Sequence, residues 1–138
     1  MKTVLFACLH NAGRSQMAAA LFNQIADPTK ARGISAGTTP GERVHPEVVT
    51  VMRELGLDLT GIKPRLLTDE LARQANVLVT MGCGEQCPFV PELRREDWVL
   101  QDPKGLPLDT VREIRDEIRS RVEKLVAEIK SGTPTKSI

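Results

Sequence analysis

The sequence predicts an α/β fold: a single-domain three-layer sandwich in which a four-stranded parallel sheet carries helices on both faces. Two observations predict it. Short apolar runs alternate along the chain with longer segments of helical periodicity, the pattern of a parallel sheet covered by helices. The length of 138 residues suits one domain of ordinary size. We place this domain at residues 1–131 and expect residues 132–138 to form a flexible C-terminal tail.

The first half of the chain predicts two strands and two helices. Residues 2–7 form an apolar, β-branched run that predicts a buried strand. Residues 15–26 are rich in helix formers and carry apolar side chains at helical spacing, which predicts a helix. Residues 34–38 predict a second strand. Residues 45–55 predict a second helix, because Pro46 suits a first-turn position.

The second half predicts two more strands and two more helices. Thr68 suits the N-cap of a short helix over residues 69–75. Residues 76–81 form the clearest later strand, and residues 98–100 predict a short one. The last helix is expected over residues 109–130, because apolar residues follow one stripe and its other faces are charged.

Composition and charge exclude several classes of partner. The 19 basic and 18 acidic residues leave a net charge of +1, so neither nucleic acid nor an anionic membrane is expected as a partner. No segment approaches the ~20 apolar residues of a membrane span, and the N-terminal apolar run is too short for a signal peptide. We therefore expect a cytoplasmic protein. An odd number of cysteines, 3, argues against a secreted disulfide framework and predicts thiols kept reduced.

Three loops each follow a predicted strand and carry residues that suit chemistry. These loops contain Cys8, Cys83 and Asp102. Ligands of open α/β sheets bind at the carboxyl ends of the strands. We therefore expect the three loops to converge on one site.

The loop that begins at Cys8 has the chemistry of an oxyanion site. Its backbone N–H groups and the following helix N-terminus can hold a tetrahedral anion, and the Arg14 guanidinium can grip two of its oxygens. The same positive field favours a thiolate, so Cys8 is expected to be the nucleophile. The alternative is a buried, inert cysteine, which Arg14 and Ser15 argue against. The predicted substrate-binding residues are Leu9, His10, Asn11, Ala12, Gly13, Arg14 and Ser15.

The motifs together resemble those of the arsenate reductases that share the fold of low-molecular-weight tyrosine phosphatases. The resemblance covers nearly the whole chain, with the motifs in the family order. It rests on Cys8-x5-Arg14-Ser15 with Asn11, Gly13-Arg14-Ser15-Gln16-Met17-Ala18, Ser35-Ala36-Gly37-Thr38, Val79-Thr80-Met81-Gly82-Cys83, Cys87-Pro88 and Asp102-Pro103.

The resemblance implies that Asp102 is the general acid, which protonates the oxygen that leaves arsenate. A turn aspartate before proline is the simpler alternative for this residue. Asp109 is better interpreted as the N-cap of the last helix. Phosphate or sulfate should bind as mimics of arsenate, and weak phosphatase activity is expected because phosphate and arsenate are near-isosteres.

The resemblance also implies a cysteine relay. Cys83 attacks the Cys8–arsenic adduct, and Cys87 then resolves the Cys8–Cys83 disulfide into one that thioredoxin reduces. One helical turn between Cys83 and Cys87 would place their Cα atoms at roughly 6 Å, within disulfide range. Two alternatives stay open: the electron donor is a glutathione- or mycothiol-type thiol, or Cys87 only packs.

No metal and no other cofactor is predicted. A zinc site would lack a second ligand pair beside Cys83 and Cys87. Relatives that bind potassium near the loop have acidic residues where this chain has Ala19 and Arg65.

Two other functions remain alternatives to a monomeric arsenate reductase. A low-molecular-weight tyrosine phosphatase would use Cys8 and Asp102 in the same roles, although the absence of any tyrosine argues against its aromatic wall. A non-catalytic oxyanion-binding or redox-sensing module would need neither residue.

Overall fold

A four-stranded, all-parallel sheet forms the centre of the protein. The computed structural model describes residues 1–82 and 93–130. The strands lie in the order β2-β1-β3-β4. They are β1 (Lys2–Cys8), β2 (Ala31–Gly37), β3 (Val77–Met81) and β4 (Arg94–Asp97). The helices are α1 (Arg14–Ile25), α2 (Pro46–Arg53), α3 (Asp69–Arg73) and α4 (Leu108–Lys130).

Helices cover both faces of the sheet, which confirms the predicted three-layer sandwich. Alternation along β1 divides its side chains between the faces. Val4, Phe6 and Cys8 point into the larger core, built with α1, α2 and α4. Leu5 and Ala7 point into the smaller core on the opposite face, beside α3. Because both faces are buried, β1 is apolar almost throughout, as expected for a central parallel strand.

The last strand is not where the sequence predicted it. The strand is Arg94–Asp97, and residues 98–100 lie beyond its end. Trp98 is buried, and its ring centroid lies 5.8 Å from that of Phe6. Its apolar character therefore reflects core packing. The strand itself is charged because it lies at the sheet edge, where charged side chains oppose pairing with another chain.

The helix boundaries lie within two residues of the predicted ones, but Asp109 does not have its predicted role. Thr68 caps α3, and its hydroxyl accepts a hydrogen bond from the Leu71 N–H at 3.1 Å. Asp109 is not the N-cap of α4, because the helix begins at Leu108 and Asp109 lies in its first turn. There its carboxylate pairs with Arg112 at 2.7 Å. An acidic residue in a first turn also interacts favourably with the helix dipole.

An ion-pair cluster joins α2 to α4. The buried Arg115 of α4 donates to the Val51 carbonyl, near the end of α2, and to Glu54, at 2.9 and 2.8 Å. Arg112 also pairs with Glu54, at 2.8 Å. These bonds satisfy a carbonyl at the helix end and hold the two helices together.

Two further predictions concern the ends and surroundings of the domain. The predicted tail, residues 132–138, lies outside the described residues, so the domain boundary stays a prediction. Within residues 1–82 and 93–130, none of the helices has the length and apolar character needed to cross a membrane.

Candidate active site

Cys8 is the last residue of β1, and the loop that follows it lies at the carboxyl edge in the middle of the sheet. The register places Cys8 beside Gly37 of β2 and Met81 of β3. α1 begins at Arg14, so five residues connect the strand to the helix. This edge is where ligands of open α/β sheets bind, as expected from the sequence.

The loop turns its carbonyl groups outward. The carbonyls of Cys8, Leu9, His10 and Ala12 accept hydrogen bonds of 2.8–3.2 Å from N–H groups in residues 38–45. Within the described part of the chain, the N–H groups of His10, Ala12 and Gly13 have no main-chain acceptor. Free N–H groups on a concave loop at a helix N-terminus are the donors that an oxyanion needs.

Asn11 and Gly37 allow the tight path of the loop. Asn11 has a φ of +52°, a left-handed conformation that asparagine tolerates better than most residues. The Gly37 backbone lies close to the loop, because a Cβ built there would be 2.8 Å from Asn11 N and from Leu9 O. Any larger residue at position 37 would therefore displace the loop backbone.

The Cys8 sulfur is buried and accepts hydrogen bonds. The Asn11 N–H donates to Sγ at 3.2 Å, and Ser15 Oγ lies 2.9 Å from Sγ. Asn11 Nδ2 donates to Ser15 Oγ at 2.8 Å. Since Ser15 Oγ accepts the bond from Asn11, the hydrogen of its hydroxyl group remains free to point at the sulfur. The sulfur is therefore placed to accept two hydrogen bonds, one from a main-chain N–H and one from a hydroxyl group.

Arg14 lies behind the loop and is held from two sides. Only 9% exposed, it donates from Nη1 to the Leu100 carbonyl at 3.0 Å. Nη2 lies 3.9 Å from Asp102 Oδ2. Its Nε is buried and has no acceptor among the described residues. These contacts fix the guanidinium plane and leave a donor for an oxyanion in the loop.

Asp102 lies across the mouth of the loop from Arg14. Its side chain is 46% exposed, and its Oδ1 accepts a hydrogen bond from the Lys104 N–H at 3.0 Å. The next residue, Pro103, packs on the loop, since a Cβ on Gly13 would lie 2.8 Å from Pro103 Cγ. A carboxyl group placed there can deliver a proton to an oxygen bound in the loop.

Two histidines lie at the rim. His10 Nδ1 lies 3.0 Å from the Thr39 carbonyl, so it donates and holds the ring at the edge of the loop. The His45 ring lies beside Gly13, since a Cβ built on Gly13 would lie 3.4 Å from His45 Cδ2. Burial lowers the pKa of His45, while the charges of Asp102 and Glu47 oppose this shift. Because His45 approaches the loop only through tertiary packing, its position before a proline gave no signal of this.

Several residues that complete the site carried no signal in the sequence. Leu100 contributes only a carbonyl, and Arg65 contributes its N–H to Asn11 Oδ1 at 3.0 Å.

Cys83 and Cys87 lie outside the described residues, so their predicted roles stay predictions. Among residues 1–82 and 93–130, no three histidine, cysteine, aspartate or glutamate side chains cluster in a way that could hold a metal ion.

Comparisons with known proteins match almost the whole chain. A family model described as low molecular weight phosphotyrosine protein phosphatase matches residues 3–134. The glutaredoxin arsenate reductase of Synechocystis sp. is 36% identical over 135 residues, which cover 94% of this chain and 99% of that one. The arsenate reductase of Staphylococcus aureus is 34% identical over 128 residues, which cover 88% of this chain and 94% of that one.

A solved structure agrees with these relatives. The thioredoxin-dependent arsenate reductase of Corynebacterium glutamicum is 36% identical and superimposes with a TM-score of 0.84. The match covers 96% of this chain and 64% of that one, so this chain spans slightly less than two thirds of its length.

Proposed function

Since the chain belongs to the low-molecular-weight phosphotyrosine protein phosphatase family and resembles arsenate reductases within it, we propose that it reduces arsenate to arsenite. The observation that carries this proposal is the environment of Cys8. Its sulfur accepts hydrogen bonds from the Asn11 N–H and Ser15, in a loop that offers Arg14 and free N–H groups to a tetrahedral oxyanion. Asp102, whose Oδ2 lies 3.9 Å from Arg14 Nη2, supplies an acid at the mouth of this loop.

The first step joins the enzyme to arsenic. The Cys8 thiolate attacks arsenic(V) and forms a sulfur–arsenic bond, while one arsenic–oxygen bond breaks. Asp102 gives its proton to the departing hydroxyl group of arsenate, which leaves as water. Arg14 and the loop N–H groups hold the remaining oxygens, whose charge they neutralise. Arsenic is still arsenic(V) in this adduct, because no electron pair has yet been transferred to it.

The second step supplies two electrons. The Cys83 thiolate attacks Cys8 Sγ, the sulfur–arsenic bond breaks, and its electron pair leaves with arsenic as arsenite. Two thiols have then become one disulfide. Cys87 attacks Cys83 and releases Cys8, and thioredoxin reduces the Cys83–Cys87 disulfide with two further electrons. The contact between Gly82 and Arg14 supports this proposal, because Gly82 precedes Cys83 directly in the chain.

The electron donor is the part of the proposal with two candidates among the relatives. One relative is named a glutaredoxin arsenate reductase, and a solved relative is named thioredoxin-dependent. We propose thioredoxin, because a disulfide between two cysteines of the same chain is a substrate for a dithiol reductant. A glutathione- or mycothiol-type donor is the alternative. We further propose that the protein acts as a monomer in the cytoplasm.

A phosphatase is the second candidate function, favoured by the description of the matching family model. The loop, Arg14 and Asp102 would serve a phosphate ester equally well, because phosphate and arsenate have the same tetrahedral shape. A phosphatase ends its cycle with water, so it needs neither Cys83 nor Cys87. The two cysteines therefore discriminate between the functions.

The test is arsenate-dependent NADPH oxidation with thioredoxin and thioredoxin reductase. We expect turnover by the wild type and its loss in Cys8→Ser, Cys83→Ser and Cys87→Ser. Hydrolysis of p-nitrophenyl phosphate is the matched control, which Cys8→Ser should abolish and Cys83→Ser should leave unchanged. If the wild type turns over only with glutathione or mycothiol, one of these thiols is the electron donor and thioredoxin is not. Arsenate turnover that survives Cys83→Ser would contradict the relay, and phosphatase activity alone would establish the second function.

A further inference from the structure

Arg65 lies on the far side of Asn11 from the Cys8 sulfur, and a continuous series of hydrogen bonds connects the two. We propose that Arg65 is a positioning residue for Cys8, acting through Asn11 and Ser15. The inference rests on the proposed role of Cys8 as a nucleophile. It adds a residue 54 positions from the loop, on a segment with no helix or strand of its own.

The Arg65 N–H sets the direction of these hydrogen bonds. It donates to Asn11 Oδ1 at 3.0 Å, and a main-chain N–H can only donate. The oxygen of the Asn11 amide must therefore face Arg65, so its NH₂ group must face Ser15 Oγ, at 2.8 Å. Ser15 Oγ accepts that bond, and its own hydrogen is left to donate to Cys8 Sγ at 2.9 Å.

Reversing this order would be unfavourable for the thiolate. If the Asn11 amide were turned over, its oxygen would face Ser15 Oγ and attract the hydroxyl hydrogen away from the sulfur. The turned NH₂ group would also meet the Arg65 N–H, donor against donor. Gln16 Nε2 lies 3.1 Å from the same Asn11 oxygen, but an amide side chain can adapt its own orientation. The donor of fixed polarity is the Arg65 N–H.

The Arg65 side chain holds that N–H in place. Its Nε donates to the Ser35 carbonyl of β2 at 2.9 Å. The Arg65 carbonyl accepts from the Gly37 N–H at 2.9 Å, and Gly37 forms an isolated parallel bridge with Leu66. The Leu67 N–H donates to the Gly37 carbonyl at 2.8 Å, so two main-chain hydrogen bonds hold the segment beside Gly37. The charged Nε donor on the Ser35 carbonyl is the side-chain contact that adds to them and fixes residue 65 against β2.

Arg32 offers a matched control for the Arg65 side chain. It lies at the other end of β2, and its Nε also makes one hydrogen bond, to Thr3 Oγ1 at 3.2 Å. Both arginines are exposed overall, so replacing either by methionine keeps the stem and removes a partly exposed guanidinium. Among the residues that the structure describes, no hydrogen bond of Arg32 leads to the Cys8 loop. A general effect of losing such a contact would therefore appear in both variants.

The test is the pH dependence of Cys8 alkylation by iodoacetamide, read on tryptic peptides. Cleavage after Lys2 and Arg14 isolates Cys8 from the peptide that carries Cys83 and Cys87. We expect Arg65→Met to slow alkylation about threefold below neutral pH, the effect of weakening one hydrogen bond. Arg65→Lys should recover part of the rate, and Arg32→Met should behave as wild type.

Each alternative outcome overturns the proposal. An Arg65→Met profile identical to wild type would show that residue 65 does not act on the sulfur. Equal slowing in Arg32→Met would show a general loss of stability. If Arg65→Met melts below the assay temperature, Arg65→Gln replaces it, and a wild-type profile in that variant has the same meaning. The assay contains neither arsenate nor a reductant, so failure of the proposed reductase activity would not affect its result.

Discussion

The backbone of Gly82 lies directly against the guanidinium of Arg14. A Cβ built on Gly82 would lie 2.7 Å from Nη1 and 3.2 Å from Cζ of Arg14. Gly82 also has a φ of +90°, which L side chains rarely adopt. Position 82 therefore needs glycine for two separate reasons. One is the backbone conformation, and the other is the space that Arg14 occupies.

We predict that Gly82→Ala lowers kcat/KM by about tenfold or more. The new methyl group would push the guanidinium away from the Leu100 carbonyl and from the bound oxyanion, at a cost of about 1.5–3 kcal/mol for charged hydrogen bonds. The measurement is kcat/KM for p-nitrophenyl phosphate and for arsenate.

Gly56→Ala is the control for backbone strain. Gly56 has a φ of +78°, and a Cβ there would meet nothing within 4 Å. This variant should lose about 1–2 kcal/mol of stability with unchanged kcat/KM. Equal activity losses in the two variants would show that strain, rather than contact with Arg14, explains the effect.

Replacement of Ser15 by alanine should make Cys8 less reactive below neutral pH. The sulfur would keep only the Asn11 N–H as a donor, and Asn11 Nδ2 would lose its acceptor. We expect the rate of Cys8 alkylation below neutral pH to fall about tenfold, the effect of losing one hydrogen bond to a charged group. Ser120→Ala, on an exposed position of α4, should leave that rate unchanged. A wild-type rate in Ser15→Ala would mean that the hydroxyl does not donate to the sulfur.

The general-acid role of Asp102 predicts a dependence on the leaving group. Asp102→Asn should lower kcat about 10²–10⁴-fold for a phosphate ester with a basic leaving group. The loss should shrink for dinitrophenyl phosphate, whose leaving group needs no proton.

Asp58 provides the matched control for Asp102. Each aspartate accepts a hydrogen bond from the N–H two residues further on, at 2.9 Å for Asp58 and 3.0 Å for Asp102. Asp58 has no proposed role in catalysis, so Asp58→Asn tests the effect of weakening such a turn alone. The kcat of this variant should match that of the wild type. If Asp102→Asn lowered kcat equally for both leaving groups, Asp102 would not be the general acid, and its effect would come from the turn.

The Glu54 cluster predicts a loss of stability in acid. Hydrogen bonds from Arg112 and Arg115 lower the pKa of Glu54 from 4.5 to about 2 in the folded protein. Between those values the unfolded chain binds more protons than the folded one, so this contribution to stability is complete above pH 4.5 and disappears as the pH falls toward 2. Urea unfolding should show a steeper acid decline for wild type than for Glu54→Gln. Glu113→Gln, an exposed neighbour on α4, should retain the wild-type slope, and equal slopes in all three proteins would contradict the assignment.

The sequence was most informative about contacts between near neighbours in the chain. Strand β1, helix α1 and the loop from Cys8 to Arg14 follow from a buried apolar run, helical spacing and a Cys-x5-Arg pattern, all read over a few residues. The Thr68 cap was predictable for the same reason, since its partner Leu71 is three residues away. Trp98 misled the prediction of β4, because an aromatic residue signals burial without saying whether the backbone around it forms a strand.

By itself, the sequence determined the parallel α/β sheet, and it predicted that Cys8, Arg14 and Asp102 would lie at one edge of it. Only the tertiary structure decided which other groups surround them: the Leu100 carbonyl, 86 residues from Arg14, and the Arg65 N–H, 54 residues from Asn11. The physical reason is that both are main-chain groups. Every residue except proline carries the same N–H and carbonyl, so only the folded path of the chain selects which of them reaches the site.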